Sequence, residues 1–281
     1  MNKYFIFYFG VIFSLMAQDD LLDLINEEPA APVLVTATFK ATRIVNSQSI
    51  ELARPKTLEF MILHRFGSMK NGVYDLFGMD EAAIRFDLKY GINDRISTGA
   101  GRSSLKKNYD IFSKIKLMNQ SNVFPFSIVI FADVEIETLR RENKFSDKLV
   151  NRLTYDTQLL IARKFNQNLS FQIMPTWVHY NLVKNDEDAH DLYSMGVGGR
   201  MKVTKRVSLN ADTFFPLGER DNDFTQSWGL GFDIQTGGHV FQIMVTNVQG
   251  SYESAYIENA SGSIDGMNIY LGFNITRVFS L

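Results

Sequence analysis

From about residue 55 onward, the chain alternates apolar and polar residues with a period of two. This period places successive side chains on opposite faces of a β-strand, so each strand has one apolar and one polar face. Twelve stretches follow the pattern: 57–62, 84–90, 96–102, 109–117, 126–135, 153–161, 169–177, 193–201, 207–211, 228–234, 241–245 and 267–275. An even number of antiparallel strands can close into a barrel.

The connections between these stretches alternate in length. The longer ones are 67–82, 103–108, 137–149, 179–191, 216–225 and 249–265, and the shorter ones are 91–95, 120–124, 165–168, 204–206 and 237–238. Because antiparallel strands reverse direction, the longer connections all fall at one end of the sheet. Long loops opposite short turns are typical of an outer-membrane barrel. The sequence predicts an all-β, antiparallel up-and-down transmembrane β-barrel of about 12 strands over residues 56–281.

A soluble β-sandwich or a lipocalin-like barrel is the alternative, because it also alternates apolar and polar residues. Two features favour the membrane barrel. Aromatic residues lie near the ends of many strands, as interfacial girdles require, and Phe279 and Leu281 keep the apolar phase of the last strand. The aromatic residues are Phe66, Tyr90, Tyr109, Phe124, Trp177, Tyr193 and Trp228.

The polar face of the strands is charged. Facing lipid, each basic group near the middle of the membrane would cost about 2–4 kcal/mol, so several together would exceed the roughly 5–15 kcal/mol that stabilises a domain. These side chains are therefore expected to point into the lumen. The predicted lumen-lining residues are Glu59, Arg65, Arg85, Asp87, Lys89, Asp110, Lys114, Lys116, Asp133, Asp156, Arg200, Asp212 and Asp233. With Glu135, Arg152 and Lys202 they form a balanced set of eight acids and eight bases.

The N-terminus is typical of a secretory signal. Lys3 precedes a nearly continuous apolar run over 4–16, and the chain turns polar after Ala17. As a helix this run is roughly 20 Å long, short of the about 30 Å of a bilayer core. We expect residues 1–17 to be a signal peptide cleaved near Ala17, and the protein to reach the outer membrane of a Gram-negative bacterium. A buried N-terminal helix is the alternative.

Residues 18–55 precede the barrel. Apolar residues among aspartates suggest a short amphipathic turn, which Pro29 and Pro32 interrupt, and the stretch 33–45 predicts a strand. We expect this segment to be either a plug inside the lumen or a periplasmic arm. A thirteenth, irregular strand is the alternative.

Composition narrows the chemistry. The 281 residues include no cysteine, which excludes disulfides, thiolate metal sites and cysteine catalysis. The net charge of −2 provides no basic field for a nucleic-acid partner. No cofactor or metal ion is expected.

Several short runs are more specific than the strand pattern. They are FKATR at 39–43, HRFG at 64–67, DLFGMD at 75–80, YGI at 90–92 and GRSS at 101–104, followed by Tyr109, Asp110, Lys114 and Gln120. These runs resemble a membrane-bound β-barrel family of Gram-negative Bacteroidota that is classed as a domain of unknown function. The resemblance covers nearly the whole mature chain, with Met79 where family members commonly have leucine. It implies an outer-membrane barrel without an assigned activity, and it brings no catalytic residues.

His64 is the one candidate for catalysis. It lies on the apolar phase of the first strand, where a base like that of an outer-membrane phospholipase would need a serine nucleophile and an orienting polar residue nearby. The chain has no Gly-x-Ser-x-Gly motif. We expect a packed histidine near the strand end instead.

Two loops have candidate roles. The loop 185–191 concentrates oxygen ligands and could hold a calcium ion, but it lacks the glycine and the spacing of a dedicated calcium loop, so a solvated acidic loop is expected. The loop 67–80 either folds inward as a constriction, with Phe77 beside the flexible Gly78, or packs on itself outside the barrel. The sequence leaves these two alternatives equal.

Twelve strands lie between the eight whose side chains fill a barrel and the sixteen that leave a water channel. We therefore expect a narrow lumen crossed by ion pairs, in a small-solute pore or solute-binding barrel. The alternative is a structural or docking barrel that recruits a periplasmic or outer-membrane protein through its outer loops or its N-terminal arm. A lipid-modifying enzyme has only His64 in its favour.

Overall fold

A computed structural model describes residues 32–140, 142, 148–183, 185, 187–220, 224–236, 239–264 and 266–280. The chain divides into two compact units, Met1–Leu34 and Val35–Leu281, and the barrel belongs to the second. The expected signal peptide lies outside the described residues, so its cleavage near Ala17 stays a prediction. Within the described ranges, no helix is long and apolar enough to cross a membrane.

Twelve antiparallel strands close into a barrel, in which each strand pairs with its neighbours along the chain and β1 pairs with β12. The strands are β1 (Thr57–Ser68), β2 (Ala82–Gly91), β3 (Ile96–Ser103), β4 (Asn108–Met118), β5 (Ser127–Glu137), β6 (Leu153–Lys164), β7 (Leu169–Tyr180), β8 (Asp191–Lys202), β9 (Val207–Leu217), β10 (Trp228–Thr236), β11 (His239–Thr246) and β12 (Tyr270–Ser280). Closure removes the free edges of the sheet, as a lipid environment requires. The predicted all-β barrel of about 12 strands is confirmed.

Side chains alternate between the two faces of the barrel wall. In β6, every second residue from Thr154 to Ala162 is buried, and the residues between them are only partly buried. Outward-facing side chains such as Ile111, Leu230 and Ile243 are large, apolar and exposed. The outer surface is therefore apolar, and the polar phase of each strand faces inward.

Connections are long at one end of the barrel and short at the other. The first group includes 69–81, 138–152 and 247–269, and the second includes 165–168 and 203–206. We call these ends the long-loop end and the short-turn end. The length asymmetry predicted from the sequence is present, although 104–107, at the long-loop end, is also short.

The last long connection differs from its predicted bounds of 249–265. β12 begins at Tyr270 rather than at Met267, because Met267 has a φ of +49°, in the left-handed region that a strand cannot contain. The connection between β11 and β12 therefore extends over 247–269, and it includes the short helix α1 (Glu253–Glu258).

The strand predicted over 33–45 is wrong. A tight reversal takes its place, in which the Ser49 N–H donates to the Thr42 carbonyl at 3.0 Å and the Ile44 N–H donates to the Ser47 carbonyl at 2.9 Å. All residues of 41–50 are buried. The strands of the closed wall already pair with one another, so a segment inside the barrel must satisfy its backbone groups through turns and wall side chains.

Candidate functional site

Residues 38–53, here called the inner segment, lie inside the barrel. The carboxylate of Asp212, on β9, fixes the tip of the reversal. Its Oδ2 accepts hydrogen bonds from the backbone N–H groups of Val45, Asn46 and Ser47 at 3.1, 2.8 and 2.8 Å, and from the Ser47 hydroxyl at 2.7 Å. One wall carboxylate thus satisfies three consecutive buried N–H groups of the inner segment. These groups have no strand partner, because the wall strands pair with one another.

A wall lysine holds the carbonyl groups of the same segment. The Lys114 ammonium, on β4, donates to the carbonyls of Thr42, Ser49 and Glu51 at 2.9, 2.7 and 3.1 Å. Gln172, on β7, acts in both directions: its amide nitrogen donates to the Gln48 carbonyl at 2.7 Å, and its oxygen accepts from the Ile50 N–H at 3.0 Å. Polar wall side chains therefore replace the missing strand partners of the inner segment.

Two glycines of the wall make room for this segment. A Cβ at Gly198 would lie 2.6 Å from Ile44 Cδ1, and a Cβ at Gly229 would lie 2.7 Å from Val45 Cγ1. These distances are shorter than any ordinary carbon–carbon contact. The inner segment approaches β8 and β10 as closely as it does because both positions lack a side chain.

The connection 247–269 also enters the barrel; we call its residues 251–260 the inner loop. All five residues from Glu253 to Ile257 of α1 are buried. The Ser254 N–H and hydroxyl donate to the carboxylate of Glu135 on β5. At the other end of α1, the Arg220 guanidinium lies 2.7 Å from Glu258. From the sequence, an inward fold is one of two alternatives for the connection after β1. In the structure, it is the connection before β12 that lies inside the barrel.

An ionic network joins the inner segment, the inner loop and the wall. Arg43 lies 3.2 Å from Glu253 and 3.6 Å from Asp87, and Arg85 lies 2.5 Å from both Asp87 and Asp110. All five side chains are completely buried. Burial lowers the pKa of Arg43, but the carboxylates of Glu253 and Asp87 more than compensate and raise this pKa above its usual value.

The interior also contains an apolar cluster, whereas the sequence predicted only ion pairs there. Wall residues Phe112, Phe131, Leu160, Met174 and Phe214 point inward and pack with Phe39, Ile44, Val45, Ile50, Tyr256 and Ile257 of the two inserted segments. A signal was present in the sequence, because Phe112 falls between Asp110 and Lys114 in the polar phase of its strand. Apolar residues in the polar phase indicate an interior filled by packed chain.

The predicted lumen-lining residues occupy the following positions. Twelve of the thirteen are buried on the inward phase of their strands: Glu59, Arg65, Arg85, Asp87, Lys89, Asp110, Lys114, Asp133, Asp156, Arg200, Asp212 and Asp233. Lys116 is only partly buried; it lies on the same phase as Lys114, near the short-turn end of β4, just before the register against β5 shifts. Arg43 and Glu253 also belong to the buried ionic network, but they lie outside the alternating strands and so carry no periodic signal in the sequence.

Above the inner loop, at the long-loop end, lies a solvent-open cavity of about 860 Å³, here called the vestibule. Its carboxylates outnumber its bases, and aromatic rings lie beside them. The carboxylates are Glu135, Glu137, Glu187, Asp188, Glu219 and Glu258, the bases are Lys106, Arg152 and Arg220, and the aromatic residues are Tyr180, Phe224 and Tyr252. Such a combination can hold a small polar molecule by hydrogen bonds and ring contacts.

The other sequence candidates lie apart from the interior. His64 faces outward, with its ring 4.8 Å from the ring of Phe273 and 4.5 Å from that of Phe66, and its Nε2 has no hydrogen-bond partner in the described part of the chain. It is a packed histidine near the strand end. In the connection after β1, no residue of Met69–Asp75 is buried, so this loop lies outside the barrel rather than forming a constriction.

In the described part of the acidic loop 185–191, all residues are exposed except Asp188, which is partly buried. Asp188 accepts hydrogen bonds from Asn185, and Asp191 accepts one from Trp177 and lies 2.8 Å from His179 Nδ1. Residue 186 lies outside the described residues. These carboxylates contact their own loop and its flanking strands.

Comparison with known proteins gives one family and several structural neighbours. Residues 39–279 match the family described as "Membrane bound beta barrel domain (DUF5777)". Among solved structures, the NanC porin is 9% identical over 80% of this chain and 99% of its own, with a TM-score of 0.48. The KdgM porin in complex with disordered oligogalacturonate is 8% identical with the same coverages and TM-score. The outer membrane protein Omp33 of Acinetobacter baumannii is 9% identical over 83% of this chain and 100% of its own, with a TM-score of 0.44.

No curated protein matches the chain. The family match begins at Phe39, within the inner segment, and ends in β12. The segment inside the lumen is therefore part of the same family domain as the barrel wall.

Proposed function

The chain belongs to the family of membrane-bound β-barrel domains, and from this premise we propose that it is an outer-membrane barrel with a closed lumen and a solute-binding vestibule. The predicted signal peptide over 1–17 supports export. In outer-membrane barrels the long loops face the exterior and the short turns face the periplasm. This orientation places the vestibule on the cell surface.

The filled interior supports a solute-binding barrel over a continuous pore. The inner segment satisfies its backbone through Asp212, Lys114 and Gln172, and the inner loop closes the space above it with α1. The observation that carries the proposal is the vestibule itself, whose volume of about 860 Å³ lies within the range of small-molecule sites, roughly 300–1,000 Å³.

The solute is proposed to be small, polar and either neutral or positively charged. The vestibule has twice as many carboxylates as basic groups, and two of its carboxylates are already paired, Glu258 with Arg220 and Glu137 with Lys106. An anionic solute would meet the remaining negative charges. Hydroxyl groups and amines suit the exposed carboxylate oxygens and the aromatic rings.

Thermal unfolding of the detergent-solubilised barrel tests the charge preference. Glucosamine, glucose and glucuronate differ in charge on one sugar framework, and we expect glucosamine to raise the unfolding temperature most and glucuronate to leave it unchanged. Thr225→Arg fills the vestibule and adds positive charge, so it is expected to abolish the effect, whereas Thr236→Arg at the short-turn end is the matched control. Equal stabilisation by glucuronate, or an unchanged response in Thr225→Arg, contradicts the proposal.

A docking barrel is the second candidate function, because apolar side chains are exposed on the connection after β1. Val73 is 77% and Tyr74 is 91% exposed. If this loop recruits a protein, cross-linking in whole cells captures one companion with wild type and loses it when both residues become serine. Leu149 and Val150, also exposed on the connection after β5, provide the control pair. An unchanged cross-link in the Val73/Tyr74 variant removes this candidate.

A further inference from the structure

Three carboxylates from three different elements converge inside the barrel. Asp110 on β4, Asp133 on β5 and Glu253 on α1 each place one oxygen so that the three oxygens lie within 4.8 Å of one another. All three residues are buried, and Glu253 belongs to the inner loop whereas the other two belong to the wall.

Among the described residues, the carboxylate of Asp133 has no hydrogen-bond partner on either oxygen, although the residue is 97% buried. The Oε2 of Glu253 is also without a partner among the described residues. An ionised carboxylate buried without donors costs far more free energy than a neutral polar group, so it is protonated, hydrated or bound to a cation. One oxygen of each of the three carboxylates lies within 4.8 Å of the others, so a single ligand between them could reach the unpartnered side chain of Asp133.

The charged side chains around these three carboxylates show which sign of ligand they would bind. The carboxylates are those of Asp87, Asp110, Asp133, Glu135, Asp156 and Glu253. The guanidinium groups of Arg43 and Arg85 are shared among Asp87, Asp110 and Glu253, and the Lys89 ammonium lies 4.0 Å from Asp87. Among the described residues, no basic side chain pairs with Asp133, Glu135 or Asp156. The neighbourhood therefore has an excess of negative charge that a cation would neutralise.

Further oxygens lie next to the three. Asp156 on β6 stands directly opposite Asp133 in the register of β5 and β6. In the part of the chain that the structure describes, its Oδ2 has no partner. Neither does the Oε1 of Gln158, whose amide nitrogen donates to Asp156 Oδ1 at 2.9 Å. Carboxylate and amide oxygens are the ligands that hard divalent cations prefer.

We propose that Asp133, Glu253 and Asp110 bind one calcium ion between the barrel wall and the inner loop. Oxygens bound to one Ca²⁺ at about 2.3–2.6 Å are at most roughly 5 Å apart, whereas the shorter bonds of Mg²⁺, about 2.0–2.1 Å, limit them to roughly 4 Å. The three oxygens lie within 4.8 Å of one another, a separation that one Ca²⁺ can bridge. Asp110 shares its oxygens with Arg85, so Asp133 and Glu253 supply the free ligands.

The ion holds α1 in the lumen, because Glu253 comes from the inner loop and Asp133 from the wall. This inference is independent of the proposed solute. The test uses the whole mature barrel in detergent, stripped with EDTA and then titrated with CaCl₂ by calorimetry. We expect one Ca²⁺ per chain, at least tenfold weaker binding in Asp133→Asn, and wild-type binding in Asp233→Asn, a buried control whose site lacks the cluster.

The sign of a stability change separates calcium from protonation. In EDTA, Asp133→Asn removes an uncompensated buried charge, so the variant is expected to unfold at a higher temperature than wild type. In excess CaCl₂ the order reverses, because only wild type gains the ion. The same order in both buffers, or wild type that takes up no Ca²⁺, overturns the proposal in favour of a neutral, protonated Asp133. Binding of MgCl₂ as tight as that of CaCl₂ overturns the choice of calcium.

Discussion

The inner segment and the inner loop both fill the lumen, but the wall holds them by different chemistry. Buried backbone groups of the inner segment meet matched side chains, with Asp212 accepting and Lys114 donating. The inner loop is held mainly by carboxylates. Glu253 and Asp133 of the adjacent wall retain buried oxygens that no described residue donates to. The first contact satisfies buried backbone groups within the chain, whereas the second leaves buried carboxylate oxygens that a cation or a proton would neutralise.

This difference predicts that the inner segment stays in place in all buffers, whereas the stability of the inner loop depends on how its carboxylates are neutralised. A buried polar network in which every group has a hydrogen-bond partner rigidifies the structure. A network with unpartnered charges changes its stability when an ion or a proton neutralises them. We therefore expect substitutions in the inner segment to act alike in all buffers, and substitutions around Glu253 to depend on calcium.

The largest effect is expected where the two inserted segments meet. Arg43→Met removes the cation between Glu253 and Asp87 and leaves both carboxylates buried without it. Breaking a buried ion pair from one side costs about 3–5 kcal/mol. Urea unfolding of the detergent-solubilised barrel measures the loss, with the exposed Arg54→Met as a control expected to stay within about 0.5 kcal/mol. Wild-type stability in Arg43→Met would show that these carboxylates do not depend on Arg43.

The next effect isolates the inner segment. Asp212→Ala leaves the N–H groups of Val45, Asn46 and Ser47 without their acceptor, at about 1 kcal/mol or more for each buried donor, so a loss of about 3 kcal/mol is expected. Loosening the segment is also expected to raise conductance in planar bilayers above that of the wild type. Asp212→Asn keeps one acceptor oxygen and is expected to lose less than half as much. An Asp212→Ala barrel as stable and as closed as wild type contradicts the anchoring.

Strand alternation was enough to predict the barrel wall, because the side-chain period of two depends only on the local backbone. The inward charges followed from the cost of placing them in lipid, and twelve of the thirteen residues are buried on that phase. Lys116 keeps that phase but is only partly buried, because it lies at the short-turn end of β4, and no local pattern marks how far the buried part of a strand extends.

The contents of the lumen could not be predicted in the same way. The tip of the inner segment is a hairpin whose partners lie more than 150 residues away, as in the bond from Asn46 to Asp212. The polar residues of the inner loop resemble those of an exposed loop, and nothing local distinguishes Glu253 from a solvated acid. The sequence therefore left plug and arm as equal alternatives, and only the long-range contacts separate them.

A smaller effect compares two lysines on one strand. Lys114→Met removes three hydrogen bonds to buried carbonyls, and we expect a loss of about 2 kcal/mol, since removal of the buried charge offsets part of the cost. Lys116→Met, two residues along β4 and only partly buried, is expected to change stability by less than about 0.5 kcal/mol. The loss should be the same in EDTA and in CaCl₂. Equal effects of the two substitutions would mean that Lys114 does not hold the inner segment.

The smallest effect tests how closely the inner segment approaches the wall. Gly198→Ala puts a methyl group against Ile44 Cδ1, the flexible end of a side chain, so we expect a loss of about 1 kcal/mol, at the lower limit for overpacking. Gly199→Ala, the next residue of β8, is the control, because its nearest neighbour lies at 3.5 Å. Ile44→Val removes Cδ1, so in the double variant the two substitutions should compensate, with a coupling of about 1 kcal/mol in the unfolding free energy. Additive losses would mean that Ile44 does not contact Gly198 of β8.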